Sequence, residues 1–217
     1  ELSDGYNLSP TMIGLVIGSM FFAAAVVQVP VGLMLDFFGA RRTLVGLSVI
    51  AVSGMILMGF ASGATELIIG RILVGIGHGA SITGVYLLAV LWTSPERVST
   101  VAAITIAVGG ALGGILGTAP LAISFETLGF SDTFVLLAIA SLFSSFLIWK
   151  LIDEKNSFTD KPNASEGLAG SLVGFFEVLK DRNLWPIFAM ALCFSFPFAT
   201  IGGLWASHFM QDLHKLT

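Results

Sequence analysis

Gly32-Leu33-Met34-Leu35-Asp36-Phe37-Phe38-Gly39-Ala40-Arg41-Arg42 stands between two long apolar runs, Met12 to Val31 and Leu44 to Phe60. Either run is long enough to cross a bilayer, since a spanning helix needs roughly 20 mostly apolar residues. The stretch between them is short and holds an acid, a glycine and two arginines. It reads as a tight turn at one membrane face.

Composition points the same way. Hydrophobic residues make up 55% of the 217-residue chain and charged residues 11%, with a mean hydropathy of +0.92. Soluble domains carry about 25% charge. The net charge of −4 comes without a basic cluster, which argues against nucleic acid as a partner. The one cysteine, Cys193, leaves no intramolecular disulfide and no cysteine-based zinc site. No cofactor or metal is called for. The chain opens in a polar stretch, Glu1 to Pro10, without Met or a visible signal peptide. It stops at Thr217 just after an apolar run, and both ends read as truncations.

Hydropathy predicts six spans, near 11–35, 43–62, 66–92, 98–124, 131–152 and 184–208. Each must be helical, because a bilayer interior forces the backbone to satisfy its own hydrogen bonds. The fold class is therefore an all-α polytopic membrane protein. With 36–42 placed in the cytoplasm, that side collects Arg41, Arg42, Arg97, Lys150, Lys155, Lys161, Lys180 and Arg182, while the other side has only Lys215. The bias follows the positive-inside rule, and Trp92, Trp149 and Trp185 fall at the same predicted boundary. The protein is expected in the cell membrane, inner or plasma, with 36–42 and 153–183 cytoplasmic. The long 153–183 connection begins polar. It ends with Leu172, Phe175, Phe176 and Leu179 at helical spacing, which reads as a short amphipathic surface helix or an ordinary connecting helix. Asn163-Ala164-Ser165 matches a glycosylation acceptor, but on the cytoplasmic side it is a chance match.

The 32–42 stretch resembles the loop between the second and third helices of major facilitator superfamily transporters, whose form is Gly-x-x-x-Asp-Arg-x-Gly-Arg-Arg. The resemblance covers essentially the whole chain. It implies a helical bundle in which 1–152 supplies helices two to six of the N-terminal half. Residues 153–183 would then be the loop between the halves, and 184–217 would hold helix seven of twelve. In the family this loop latches the halves in one conformation, which casts Gly32, Asp36, Gly39, Arg41 and Arg42 as latch residues. Gly32 would permit close packing and Gly39 suits a tight turn. Phe37 stands where the family has Arg or Lys, and Ala40 replaces a further basic residue, so the latch is expected to be weaker. The other reading of this loop is a topology signal alone.

Arg71-Ile72-Leu73-Val74-Gly75-Ile76-Gly77-His78-Gly79-Ala80 lies in the third span. An arginine there costs about 2.5–3.5 kcal/mol on insertion scales and must face protein or water. The family carries a similar Arg followed by small residues in its fourth helix. Gly75 and Gly79 would let a neighbouring backbone approach. The Gly-x-Gly-x-Gly spacing is no nucleotide loop, since it lies in an apolar helix with no preceding strand. His78 is two turns on from Arg71 and on the same face. Organic-anion transporters of the family often have an acid at this place that takes part in proton coupling. A histidine titrates near neutral pH. Two readings stand: Arg71 attracts an anionic solute while His78 couples protons, or Arg71 is structural and His78 is a packing residue.

Gly109, Gly113 and Gly117 repeat at four-residue spacing ahead of Pro120, a helix-packing face. The Gly-Pro and Gly-Gly arrangement of the family's antiporters is absent, which favours symport or uniport. Pro197, Gly202 and Gly203 precede Trp205 in the last span, where family members break helix seven. Trp205 and Ser207 face the solute path or anchor at the interface.

The function these features imply is alternating-access transport of a small polar or anionic solute, coupled to an ion, the proton first. The partners are then that solute, the coupling ion and the lipid bilayer. The runner-up is a membrane solute sensor on the same fold. No His-Glu-x-x-His, Gly-x-Ser-x-Gly, phosphate-binding loop or pair of membrane-buried aspartates is present, so no enzyme is expected.

Overall fold

The computed structural model describes residues 9–152, Glu177 and 180–197. Regular structure among them is entirely helical: α1 (Pro10–Gly59), α2 (Ala64–His78), α3 (Ser81–Trp92), α4 (Val98–Leu116), α5 (Ala119–Leu128), α6 (Phe130–Leu151) and α7 (Trp185–Pro197). The chain divides into two compact units, Glu1–Asp160 and Lys161–Thr217. In the second, a 3-10 turn over Arg182–Leu184 leads into α7, and the Asp181 carboxylate accepts from the Asn183 N–H at 2.9 Å. The amphipathic helix expected around Leu172 to Leu179 and the residues Gly202, Gly203, Trp205 and Ser207 lie outside the described residues.

Four helical stretches of the first unit are long and apolar enough to cross a membrane: Thr11–Gly59, Ala64–Trp92, Val98–Leu128 and Phe130–Leu151. The first of these is two crossings. As one straight helix its 49 residues would measure about 73 Å, more than twice a hydrocarbon core of ~30 Å. Gly39 divides it, at φ 82° and ψ 165°, into arms over 10–38 and 40–59. Across the break the Thr43 hydroxyl donates to the Met34 carbonyl at 2.8 Å. Val31 and Leu35 of one arm share a buried cluster with Ala40 and Leu47 of the other. The turn expected over 36–42 therefore shrinks to one residue. Glycine alone tolerates that positive φ without strain, so helix can run to Phe38 and resume at Ala40.

Contacts along α2 set the directions of the bundle. Gly75 lies against the Met20 backbone and Gly79 against Val27, both in the first arm. Gly70 lies against Gly54, Gly77 against Ala51, and Gly84 of α3 against Leu44, all in the second arm. Numbers rise together along the first arm and run oppositely along the second. The α2–α3 pair is thus parallel to the first arm and antiparallel to the second. The Ser131 hydroxyl donates to the Gly59 carbonyl at 2.6 Å, and Arg41 sits over Trp149, so α6 is antiparallel to the second arm.

Up-and-down passage leaves the first unit with unlike ends. Arg41, Arg42, Arg97 and Lys150 gather at one, beside Trp92 and Trp149; Glu66, Glu126 and Asp132 are at the other. At the basic end, the turn before α4 is held by the Arg97 N–H donating to the Ser94 carbonyl at 2.9 Å. The backbone N–H of Glu96 and the Ser94 side chain hold the Glu96 carboxyl below the usual range. At the acidic end, Glu66 caps α2 by accepting from the N–H groups of Ser62 at 2.6 Å and Gly63 at 2.7 Å. Val16, Met58 and Leu67 pack there with Phe130 and Phe134.

Two spans expected to be continuous are interrupted. The one predicted over 66–92 breaks at Gly79–Ala80, where both residues keep right-handed dihedrals. The ladder slips rather than reverses, with the Gly79 N–H donating to Ile76 at 3.3 Å. The one predicted over 98–124 breaks at Gly117–Thr118 and continues to Leu128. Thr118 leaves helical values at φ −101° and ψ −109°. Pro120 enters the first turn of α5, where its missing N–H has no partner to lose.

Candidate functional site: the α1–α2 seam

The seam between the first arm and α2 holds the residues that sequence reading singled out, with two more. Arg71 leaves α2 towards the first arm, half-buried, with Nη1 3.9 Å from the Met20 sulfur. A thioether is a weak acceptor and does little for a guanidinium. Arg71 Nε is buried without a hydrogen-bond partner among the described residues. A guanidinium presents five donors and always carries its charge, so a buried Nε with no acceptor among the described residues is costly in a low-dielectric place.

His78 ends α2 and is exposed. Its Nδ1 lies 3.2 Å from the Val74 carbonyl of its own helix, which places the ring proton on Nδ1 if the contact is a hydrogen bond. Seven residues separate Arg71 from His78, or about 10 Å along the helix. They share a helix but do not touch.

The break after His78 frees the Gly79 carbonyl from the helical ladder. Gln28 of the first arm takes it up, its Nε2 donating at 3.0 Å. The other end of the same amide accepts from the Thr83 hydroxyl at 3.3 Å. One side chain thus joins the first arm to both sides of the break. Sequence reading missed Gln28 and Thr83. The signal was there for Gln28, the one amide in the apolar run 12–31. Thr83 offered none, since its role depends on where α2 breaks.

The remaining candidates sit in different settings. A Cβ at Gly109 or Gly113 would meet nothing within 4 Å, and one at Gly117 would meet only its own helix. The close helix partner expected on that face is absent among the described residues. The same holds for Gly32, expected to pack closely and found with open space beside it. Asp36 and Arg42 are exposed and Arg41 is half-buried, all grouped at the Gly39 break.

The sequence profile of the Major Facilitator Superfamily matches residues 1–217. The hexuronate transporter of Bacillus subtilis is 30% identical over 166 residues, covering 74% of this chain and 38% of that protein. A protein of Cupriavidus necator named "probable sulfoacetate transporter" is 27% identical over 141 residues, 65% of this chain and 33% of its own. The mouse sodium-dependent phosphate transport protein 1 is 36% identical over 93 residues, 42% and 20% respectively. The chain therefore spans well under half the length of these relatives. No solved structure matches. By the profile match over its whole length, and by its all-helical, multiply crossing architecture, the chain belongs to the major facilitator superfamily of membrane proteins.

Proposed function

We propose that the protein carries a small organic or inorganic anion across the membrane by alternating access, with Arg71 as the anion-attracting group. The observation that carries this reading is the buried Arg71 Nε that lacks a hydrogen-bond partner among the described residues. An anion supplies both the charge and the acceptors that the guanidinium lacks. Three of the relatives' names support the choice of charge, since hexuronate, sulfoacetate and phosphate are anions, while a fourth, a D-xylose-proton symporter-like protein of Arabidopsis thaliana, names a neutral sugar. Their shared naming as transporters supports a carrier over an enzyme or a sensor.

In this reading residues 1–152 are part of one half of the carrier, 153–183 link to the other half, and 184–217 open it. The basic end faces the cytoplasm of a cell membrane, as the arginine and lysine bias would have it. Gly32, Asp36, Gly39, Arg41 and Arg42 latch the halves. The proton is the coupling ion, handled by His78; the other charged groups of α2 are Glu66 at its start and Arg71 at its middle. A sodium-dependent relative names the competing ion.

The test is uptake of hexuronate, sulfoacetate and phosphate into cells or proteoliposomes containing the complete protein. Arg71→Ala is expected to reach the membrane in normal amount and to lose at least about ten-fold in uptake, the worth of a charge-assisted hydrogen bond. Arg71→Lys, which keeps charge but not the planar fork, should fall between. Unchanged uptake by Arg71→Ala would leave Arg71 a structural role and remove the anion reading.

A further inference from the structure

Arg71 meets the first arm at Met20. Its Nη1 lies 3.9 Å from the thioether sulfur, and its Nε is buried without a hydrogen-bond partner among the described residues. We propose that Met20 is an oxidation site whose sulfoxide occupies Arg71 and so keeps the anion out. This control rests on the reading of Arg71 as the anion-attracting group.

The oxidant is a peroxide. The Met20 sulfur attacks one oxygen of hydrogen peroxide with a lone pair and the O–O bond breaks. The departing hydroxide takes the proton of the transferred oxygen and leaves as water. The sulfur loses two electrons and the peroxide gains them, giving Met20 sulfoxide and one water. Methionine sulfoxide reductases reverse the step. Hydrogen peroxide is small and uncharged, so a half-buried thioether inside a membrane bundle is within its reach.

Three features single out Met20. The first is what oxidation changes beside the guanidinium. A thioether is a weak acceptor. A sulfoxide oxygen carries partial negative charge and accepts strongly. Added on the side facing Nη1, to a sulfur already 3.9 Å away, it comes within about 2.7–3.2 Å, the ordinary N–H···O range. A hydrogen bond from a charged donor is among the strong ones.

The second is that Met20 is held in place. Its backbone lies against Gly75, so closely that a Cβ there would have no room. Gly75 is four residues after Arg71, one turn on along the same face of α2. The helix contact therefore keeps the Met20 side chain beside Arg71, and the new oxygen has little freedom to leave.

The third is graded access. Met20 is half-buried. It is more shielded than Met190, at 60% exposed, and less than Met58, at 3%.

The experiment uses the complete protein in proteoliposomes treated with hydrogen peroxide. Peptide mass spectrometry locates the sulfoxides, and initial uptake of hexuronate, sulfoacetate and phosphate is followed across concentration. Met190 should oxidise first, Met20 next and Met58 last. As Met20 sulfoxide accumulates, the half-saturating anion concentration should rise about ten-fold at little-changed maximal rate, the loss of one charge-assisted contact. Methionine sulfoxide reductase should restore it. Met20→Leu, a volume-conserving change, should keep its own untreated value after the same treatment. Met190→Leu should lose as much as the parent. Equal losses in the parent and Met20→Leu would reduce the effect to general oxidative damage and overturn the proposal. So would Met20 sulfoxide formed without a change in half-saturation, or Met20 left reduced after Met58 has oxidised. Failure of the anion reading itself shows elsewhere, as undiminished uptake by untreated Arg71→Ala.

Discussion

Single residues decide the chemistry of the α1–α2 seam. Gln28 turns both ends of its amide to the break in the neighbouring helix, donating to Gly79 and accepting from Thr83. Within a bilayer a freed carbonyl has no water to turn to. Gln28→Leu should therefore lower stability by ~1–3 kcal/mol, the penalty of an unpaired buried polar group. It should also depress uptake more than membrane insertion. Gln28→Glu, which cannot donate when ionised, should not restore either. A melting temperature unchanged in Gln28→Leu would mean the break is satisfied by other means. For His78 the expectation is kinetic. His78→Ala should flatten the response of uptake to external pH. A profile identical to the parent's would remove His78 from proton coupling. The His78 ring was legible as a candidate from its seven-residue offset from Arg71. The Gln28 clasp was not, because a hydrogen bond between residues 28 and 79 has no local sequence pattern.

Helices differ in what their glycines are for, and spacing alone does not separate the cases. Gly75 and Gly79 at α2, and Gly109, Gly113 and Gly117 at α4, all read as small-residue packing faces. Only the first set is met by another helix, among the described residues, closely enough to leave no room for a side chain, and Gly77 between them is met in the same way. Gly77→Ala should cost ~1–3 kcal/mol by overpacking, because its new methyl would press on the backbone of Ala51 and Leu47. Gly113→Ala should be tolerated or slightly stabilising, since among the described residues open space surrounds it and alanine is the better helix former. Thermal unfolding of the two variants side by side is the check, and equal losses would contradict the difference in packing. Gly39 is a third case. Its φ of 82° with ψ of 165° is backbone that side chains resist, so Gly39→Ala should cost ~1–3 kcal/mol and loosen the hairpin between the arms. The break at Gly79 was missed for a related reason: hydropathy reports how apolar a window is and is blind to a slip of the hydrogen-bond ladder within it.

At the scale of the molecule, the first unit is a bundle with a basic and an acidic end. That arrangement makes a topological prediction. In a Cys193→Ser background, Ser94→Cys and Ser62→Cys should react with a membrane-impermeant thiol reagent from opposite sides, Ser94→Cys from the cytoplasm. Labelling of both from one side would refute the up-and-down order.

The sequence alone determined that this chain is a helical membrane protein, roughly where it crosses, and which family it belongs to. Those properties reside in composition, in the length of apolar runs and in a short motif, all of which are local along the chain. It also marked Arg71, since a charge inside an apolar run is conspicuous without any coordinates. Tertiary structure alone decided that Gly39 suffices for a full reversal, that α2 and α3 part after His78, and that Gln28 takes up the freed carbonyl. It likewise decided that Arg41 lies on Trp149, more than a hundred residues away in sequence. Such facts depend on which helix faces which and at what height, and a periodic apolar helix satisfies many such arrangements equally well until its neighbours are in place.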